Sequence, residues 1–287
     1  MTKQEILAKL KADLEIRGRS KETIKEYMTK VRLYQDHYDK PADEMGIEEI
    51  QEYLHYLLME KKLSASSVNT YNSALRFVYG VTLDVTLNYK KLIRVKHTRR
   101  LPQLFTREEI GKIIESAGNE CHKAMLMLAY GSGLRLSEIT GLKVSDIESG
   151  EKRIMVRHGK GDRDRYAMLP EATLEALRAY WLNCTPRPRD WLFEAPKTGG
   201  QYHDRTLQDA FKSALRKSGV KRYGTVHTLR HCFATHLYED ERNLLALKKL
   251  LGHVRIDTTA WYIQLAASDM LKLKSPIDSL PKVEAVK

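Results

Sequence analysis

The stretch Ile154-Met-Val-Arg-His-Gly-Lys-Gly-Asp-Arg-Asp-Arg-Tyr-Ala-Met-Leu169 decides the fold class of this chain. Two β-prone runs, Ile154 to Arg157 and Arg165 to Leu169, flank a Gly-rich polar connection of hairpin type. Lys160 falls at or near its tip. Around this hairpin the chain reads as helix, so the expected class is mainly α with a small antiparallel β-sheet.

On the carboxyl side, Pro170 is expected at the first position of a helix. Further helices are expected near Asp204–Lys217, Thr228–Tyr238, Leu244–Leu251 and Ile256–Tyr262. The tail after Gln264 carries Pro276 and Pro281 and reads as partly helical. On the amino side, Thr106-Arg-Glu-Glu109 is a capping box that opens a helix. An apolar, buried helix follows over Glu120–Tyr130. A short helix after Gly133 carries Arg135, Ser137 and Glu138.

Residues up to about Tyr79 read as four amphipathic helices. The first spans Lys3–Ile16 with Ile6, Leu7, Leu10 and Leu14 on one face, and Gly18 ends it. Ser20 caps the second, which carries Ile24, Tyr27, Val31 and Tyr34. The third runs over Ile47–Lys61, and Ser64 to Ser67 opens the fourth. A chain of 287 residues accommodates two domains. The expected division is a helical domain over 1–88, a basic linker over 89–104, and a mixed α/β domain over 105–287 that includes the tail.

The net charge is +12 with histidines neutral. That excess fits a polyanionic partner, most simply nucleic acid. Its distribution is informative. Lys90, Lys91, Arg94, Lys96, Arg99 and Arg100 lie in one short acid-free stretch, where a linker is well placed to follow a phosphate backbone. Cys121, Cys184 and Cys232 show no pairing pattern and read as small buried residues in a reducing, cytoplasmic setting. No run approaches the roughly 18 apolar residues of a membrane helix, so no membrane partner is expected. Met-Thr-Lys-Gln-Glu-Ile reads as the start of an amphipathic helix and not as a signal peptide.

Five clusters carry chemistry: Arg135, Lys160, His227 with Arg230, His253, and Tyr262. Splitting a phosphodiester with a protein nucleophile needs stabilised oxygens, a nucleophile that loses a proton and a leaving oxygen that gains one. Metal sites for this chemistry cluster Asp and Glu, which are sparse here, so neither metal nor cofactor is expected. Two guanidiniums serve instead, because their planar forks match phosphate oxygens. Arg135 and Arg230 are the candidates. Glu138, one turn from Arg135, is positioned to orient it. His227 and His231 also have the i, i+4 spacing of zinc ligands, but Thr228 replaces the usual Glu and Arg230 repels a cation. Lys160 needs a depressed pKa to act as an acid, and Arg157, Arg163 and Arg165 are expected to push it that way.

With these residues in hand, the chain resembles the tyrosine recombinases, or phage-type integrases. The strings are Tyr130-Gly-Ser-Gly-Leu-Arg-Leu-Ser-Glu138, His227-Thr-Leu-Arg-His231, Leu250-Leu-Gly-His253 and Thr258-Thr-Ala-Trp-Tyr262. The amino-terminal helices, with Thr23-Ile24 and Tyr27, resemble the family's helical core-binding (SAM-like) domain, and the chain from about Leu101 resembles its catalytic domain. The resemblance implies that Tyr262 attacks the phosphate and leaves a 3′-phosphotyrosyl DNA with a free 5′-hydroxyl. It implies that Arg135 and Arg230 hold nonbridging oxygens and that Lys160 protonates the leaving oxygen. His227 then serves as base and acid, and His253 bonds the phosphate. It further implies a double-stranded DNA recombination site as partner, a homotetramer on two such sites with the tail from Ala266 docked on a neighbour, and religation without ATP. In layout the chain is similar to Xer-type, integron and transposon-associated integrases, although the interval from Lys160 to His227 leaves little room for the added segment of integron integrases. A type IB-like DNA-relaxing enzyme and a DNA-binding relative without catalysis are the alternatives.

Overall fold

The computed structural model describes residues 1–88, 92, 94–96, 103–159, 163–196 and 198–252. The chain divides into two compact units, Met1–Arg100 and Leu101–Lys287.

The first unit is built from α1 (Lys3–Ile16), α2 (Lys21–Tyr38), α3 (Ile47–Met59) and α4 (Ala65–Phe77). Local chemistry sets their ends. The Thr2 hydroxyl accepts from the Glu5 N–H while the Glu5 carboxylate accepts from the Thr2 N–H. Ser20 and Ser64 cap α2 and α4 in the same hydroxyl-to-N3 manner. Gly18 lies at φ +62, which a glycine adopts without a Cβ penalty. Ile6, Leu10 and Leu14 meet Val31, Ile50, Leu57, Val68 and Leu75 in one core, where the Tyr34 and Tyr79 hydroxyls hydrogen-bond at 3.2 Å. The third helix ends at Met59, two residues short of the expected Lys61, and a π-helical stretch over Val78–Thr82 extends α4. Part of the stretch read as a linker packs on this unit. Leu92 is 2% exposed, and the Asn69 side chain donates to and accepts from the Val95 backbone at 2.9 Å. Arg94 and Lys96 remain exposed; Lys90, Lys91, Arg99 and Arg100 lie outside the described residues.

The second unit surrounds α6 (Glu120–Gly131), whose Ala124, Met125, Leu126 and Leu128 are fully buried. Packed around it are α5 (Arg107–Glu115), α7 (Leu136–Thr140), α8 (Glu171–Asn183), α9 (Asp204–Lys217) and α10 (Val226–Glu241), with α11 (Leu244–Leu251) against α10. The sheet is antiparallel in the order β1 (Ile147–Glu148), β2 (Arg153–Gly159), β3 (Arg163–Met168). Val156 pairs with Arg165 and Ile154 with Ala167, and the ladder is irregular between Val156 and Gly159. Alternation turns Ile154, Val156, Ala167 and Leu169 into the core.

Several expectations change. Pro170 sits at the N-cap in extended backbone, and helical geometry starts at Glu171. The tenth helix is longer than Thr228–Tyr238 at both ends, and at its start Thr225 and Thr228 close a hydroxyl cap ahead of it. Cys232 is buried, but Cys121 and Cys184 are only half-buried.

Candidate active site

Arg135 is held by a turn that needs glycine. Gly133 has φ +61, and a Cβ there would lie 2.3 Å from Phe233 Cδ1 on α10. The backbone therefore packs directly against that helix, and Arg135 becomes the N-cap residue of α7. Glu138 reaches back to it. The Arg135 backbone N–H donates to Glu138 Oε2 at 2.8 Å, and its Nη1 donates to Oε1 at 2.7 Å. The expected Arg135–Glu138 pair thus forms, with Arg135 21% and Glu138 6% exposed.

Glu138 is the hub of a larger set. Arg165 Nη1 and Nη2 donate to its two oxygens, both at 2.8 Å, in a bidentate fork. Arg230 Nη1 lies 3.7 Å from Oε2. Burial by itself raises a carboxyl pKa. Here the hydrogen bonds and charge of Arg165, then the N–H and charge of Arg135, outweigh it and hold Glu138 at about 2. Three guanidiniums around one carboxylate leave a local charge of about +2 in a poorly hydrated place. An anion with growing charge is what such a site stabilises.

Arg230 is 1% exposed. It donates through Nη1 to the Gly133 carbonyl and through Nη2 to the Leu251 carbonyl at 2.8 Å. Arg165 Nε donates to the Leu250 carbonyl at 3.1 Å. Both arginines thus satisfy the orphan carbonyls at the C-terminus of α11, where cations are favoured. Gly252 closes that helix at φ +63, one residue before His253.

His227 stands in the first turn of α10, three residues before Arg230. Loss of water around the ring comes first, and the charges of Arg230 and Arg135 add to it, so its pKa is below the ordinary histidine value. It is thus neutral at pH 7 and equipped to accept a proton. His231 packs edge-on against it with ring centroids 4.5 Å apart. Burial, then His227 and Arg230, push His231 down to about 4. The zinc-like spacing of these two residues is used here for ring packing.

Beside Glu138 opens a groove of about 630 Å³ that is also lined by Lys143, Asp146, Arg157 and Trp191. Arg157 Nε donates to the buried Asp146 at 2.7 Å. Arg157 and Arg165 thus each hold a carboxylate. Lys160, His253 and Tyr262 lie outside the described residues. The structure brings Arg135, Glu138, His227 and Arg230 together and adds Arg165 and His231, which spacing alone did not assign to the site.

Comparison with known proteins agrees with this architecture. Residues 103–269 match the phage integrase family, and residues 6–89 match the phage integrase N-terminal SAM-like domain. A putative integrase/recombinase of Sinorhizobium fredii is 34% identical over 96% of this chain and 89% of its own length. Tyrosine recombinase XerA of Pyrococcus furiosus is 30% identical over 93% of this chain and 92% of its own. A crystal structure of a XerA recombinase aligns with TM-score 0.55 and 27% identity, covering 96% of this chain and all of that one. A lambda integrase tetramer bound to a Holliday junction shares the fold, with TM-score 0.73 and 21% identity over 91% of this chain and 77% of that one. The chain belongs to the phage integrase family, enzymes that cleave and rejoin DNA strands. Among the described residues, no helix is long and apolar enough to cross a membrane.

Proposed function

We propose that this chain is a site-specific DNA recombinase that works through a 3′-phosphotyrosyl intermediate without metal or ATP. The observation that carries the proposal is the buried Glu138 with three guanidiniums around it and a neutral His227 alongside. That set supplies compensating positive charge and a proton acceptor, which are the tasks otherwise given to a metal.

In this reading the Tyr262 oxygen attacks the scissile phosphorus, and the bond from phosphorus to the 5′-oxygen breaks. The tyrosine proton passes to His227, and Lys160 supplies the proton that the departing oxygen takes up. Arg135 and Arg230 take the nonbridging oxygens, and His253 donates to the phosphate. Arg135 is the more open of the two, at 21% exposure against 1% for Arg230. The phosphotyrosyl bond stores the energy of the bond it replaced, so a 5′-hydroxyl reverses the step without ATP.

The partner is a double-stranded recombination site. A homotetramer on two sites is the proposed assembly, supported by the fold shared with a lambda integrase that forms a tetramer on a Holliday junction. Lys90, Lys91, Arg94, Lys96, Arg99 and Arg100 are proposed to follow the DNA backbone. A nicked suicide substrate carrying the site tests the reading. Wild type accumulates a covalent DNA adduct and Tyr262→Phe does not. Tight binding with no adduct would leave a DNA-binding protein only. Relaxation of unrelated supercoiled plasmid by a monomer would point to a type IB-like enzyme.

A further inference from the structure

Arg165 has no role in the reaction as derived so far, yet it touches three parts of the site. It lies on β3 opposite Val156, on the face that Ala167 turns into the core, and its side chain is 10% exposed. A guanidinium on the core face of a strand needs a carboxylate, because an unpaired buried charge is costly. Glu138 supplies both oxygens at 2.8 Å. The third nitrogen, Nε, reaches the Leu250 carbonyl at 3.1 Å. The aliphatic stem fills the space where Gly252 has no Cβ; a Cβ there would lie 2.7 Å from Arg165 Cδ.

We infer that Arg165 is a positioning residue for strand cleavage: it fixes Glu138, and through it Arg135, while anchoring the last turn of α11 at Leu250, three residues before His253. This rests on the recombinase reading above. Three consequences of the geometry support it. Glu138 makes the same two-oxygen use of Arg135, so loss of the Arg165 fork frees the carboxylate to rotate and takes the Arg135 guanidinium with it. Leu250 and Leu251 present adjacent carbonyls to Arg165 and Arg230, so the two arginines set the direction in which the chain leaves α11. Arg165 is also five residues from Lys160 on the same hairpin, which links the hairpin's base to the arginine turn. Each of its three nitrogens donates to a protein acceptor and its side chain is 10% exposed, so it acts through other residues and not on the phosphate itself.

The test uses the full chain with Arg165→Met and Arg165→Lys on the nicked suicide substrate. Single-turnover cleavage rate, DNA affinity and urea midpoint are measured for each. A misplacement of about 1 Å at a reacting centre costs on the order of 100-fold, and that is the expected fall in rate for Arg165→Met, with affinity within about threefold. Arg165→Lys, a point charge without the fork, restores about tenfold at most. The pH profile separates positioning from folding. Without Arg165, Glu138 protonates more readily, so the acid limb of the Met variant moves to higher pH than that of wild type, and adding Glu138→Gln abolishes that shift. Should Arg165→Met fold poorly, the Lys variant carries the comparison. Equal rates in wild type and both variants would overturn the inference alone, as would a rate loss that matches the loss of folded protein. Absence of adduct with wild type would instead sink the recombinase reading, and this inference with it.

Discussion

Replacing Glu138 by Gln keeps its shape and removes the charge that three guanidiniums share. The cost follows from its titration. The ordinary carboxyl value is 4.5 and the folded value is about 2. That difference corresponds to about 3 kcal/mol of stability at pH 7. The figure agrees with the roughly 3–5 kcal/mol lost when one partner of a buried ion pair is removed. Because the folded pKa is the lower one, the contribution is full above pH 4.5 and is lost as pH falls through about 2. The gap between wild type and Glu138→Gln should therefore narrow to about half by pH 3. Urea unfolding followed by tryptophan fluorescence measures it. Trp181, Trp191 and Trp261 are the only tryptophans and all belong to the second unit, so the signal reports the unit that holds Glu138. A loss under about 1 kcal/mol at pH 7, the size of an exposed pair, would refute the hub. So would a gap that stays constant with pH.

Gly133→Ala should destabilise the second unit by about 1–3 kcal/mol, since the new Cβ meets Phe233 and the backbone is left-handed; an unchanged fluorescence midpoint would count against that packing. His231 titrates in the folded chain at about 4 against an ordinary 6.5, so the unfolded chain takes the proton first and stability falls as pH drops across that window. His231→Gln should flatten the dependence between pH 7 and 5, and an unaltered slope would contradict its assignment. DNA binding should weaken steeply with salt, and Arg94→Ala with Lys96→Ala should lower the slope of log affinity against log salt by about 1–2. A slope equal to wild type would remove that stretch from the DNA contact.

Helices with a capping side chain or a clear apolar period were legible in the sequence. Lys3–Ile16, Asp204–Lys217 and Leu244–Leu251 occur with the expected bounds, and Thr106 with Glu109 forms the expected capping box. Signals that fell short were those with no local pattern. Two residues of β1 are too few to show alternation, and Pro170 fits an N-cap as readily as a first helical turn because its φ suits both. The site divided in the same way. Arg135 with Glu138, and His227 with Arg230, are three apart, and spacing alone suggested their partnership. Arg165 and Glu138 are 27 residues apart, so no periodicity joins them. A signal did exist, since Arg165, Ala167 and Leu169 share one strand face and an arginine among core residues calls for a buried acid. The pairing of Arg157 with Asp146 and of Arg165 with Glu138 is invisible in a linear charge count.

The central claim is a covalent bond between Tyr262 and a DNA 3′-end. Trapping wild type on a suicide substrate in the presence of a chelator, digesting it and sequencing the DNA-bound peptide by mass spectrometry tests that bond directly. The account predicts a nucleotide 3′-phosphate on Tyr262 and a released strand whose 5′-end accepts a label from polynucleotide kinase without prior phosphatase. An adduct on another residue, a 5′-linkage, or an adduct that forms only with added divalent metal would contradict it.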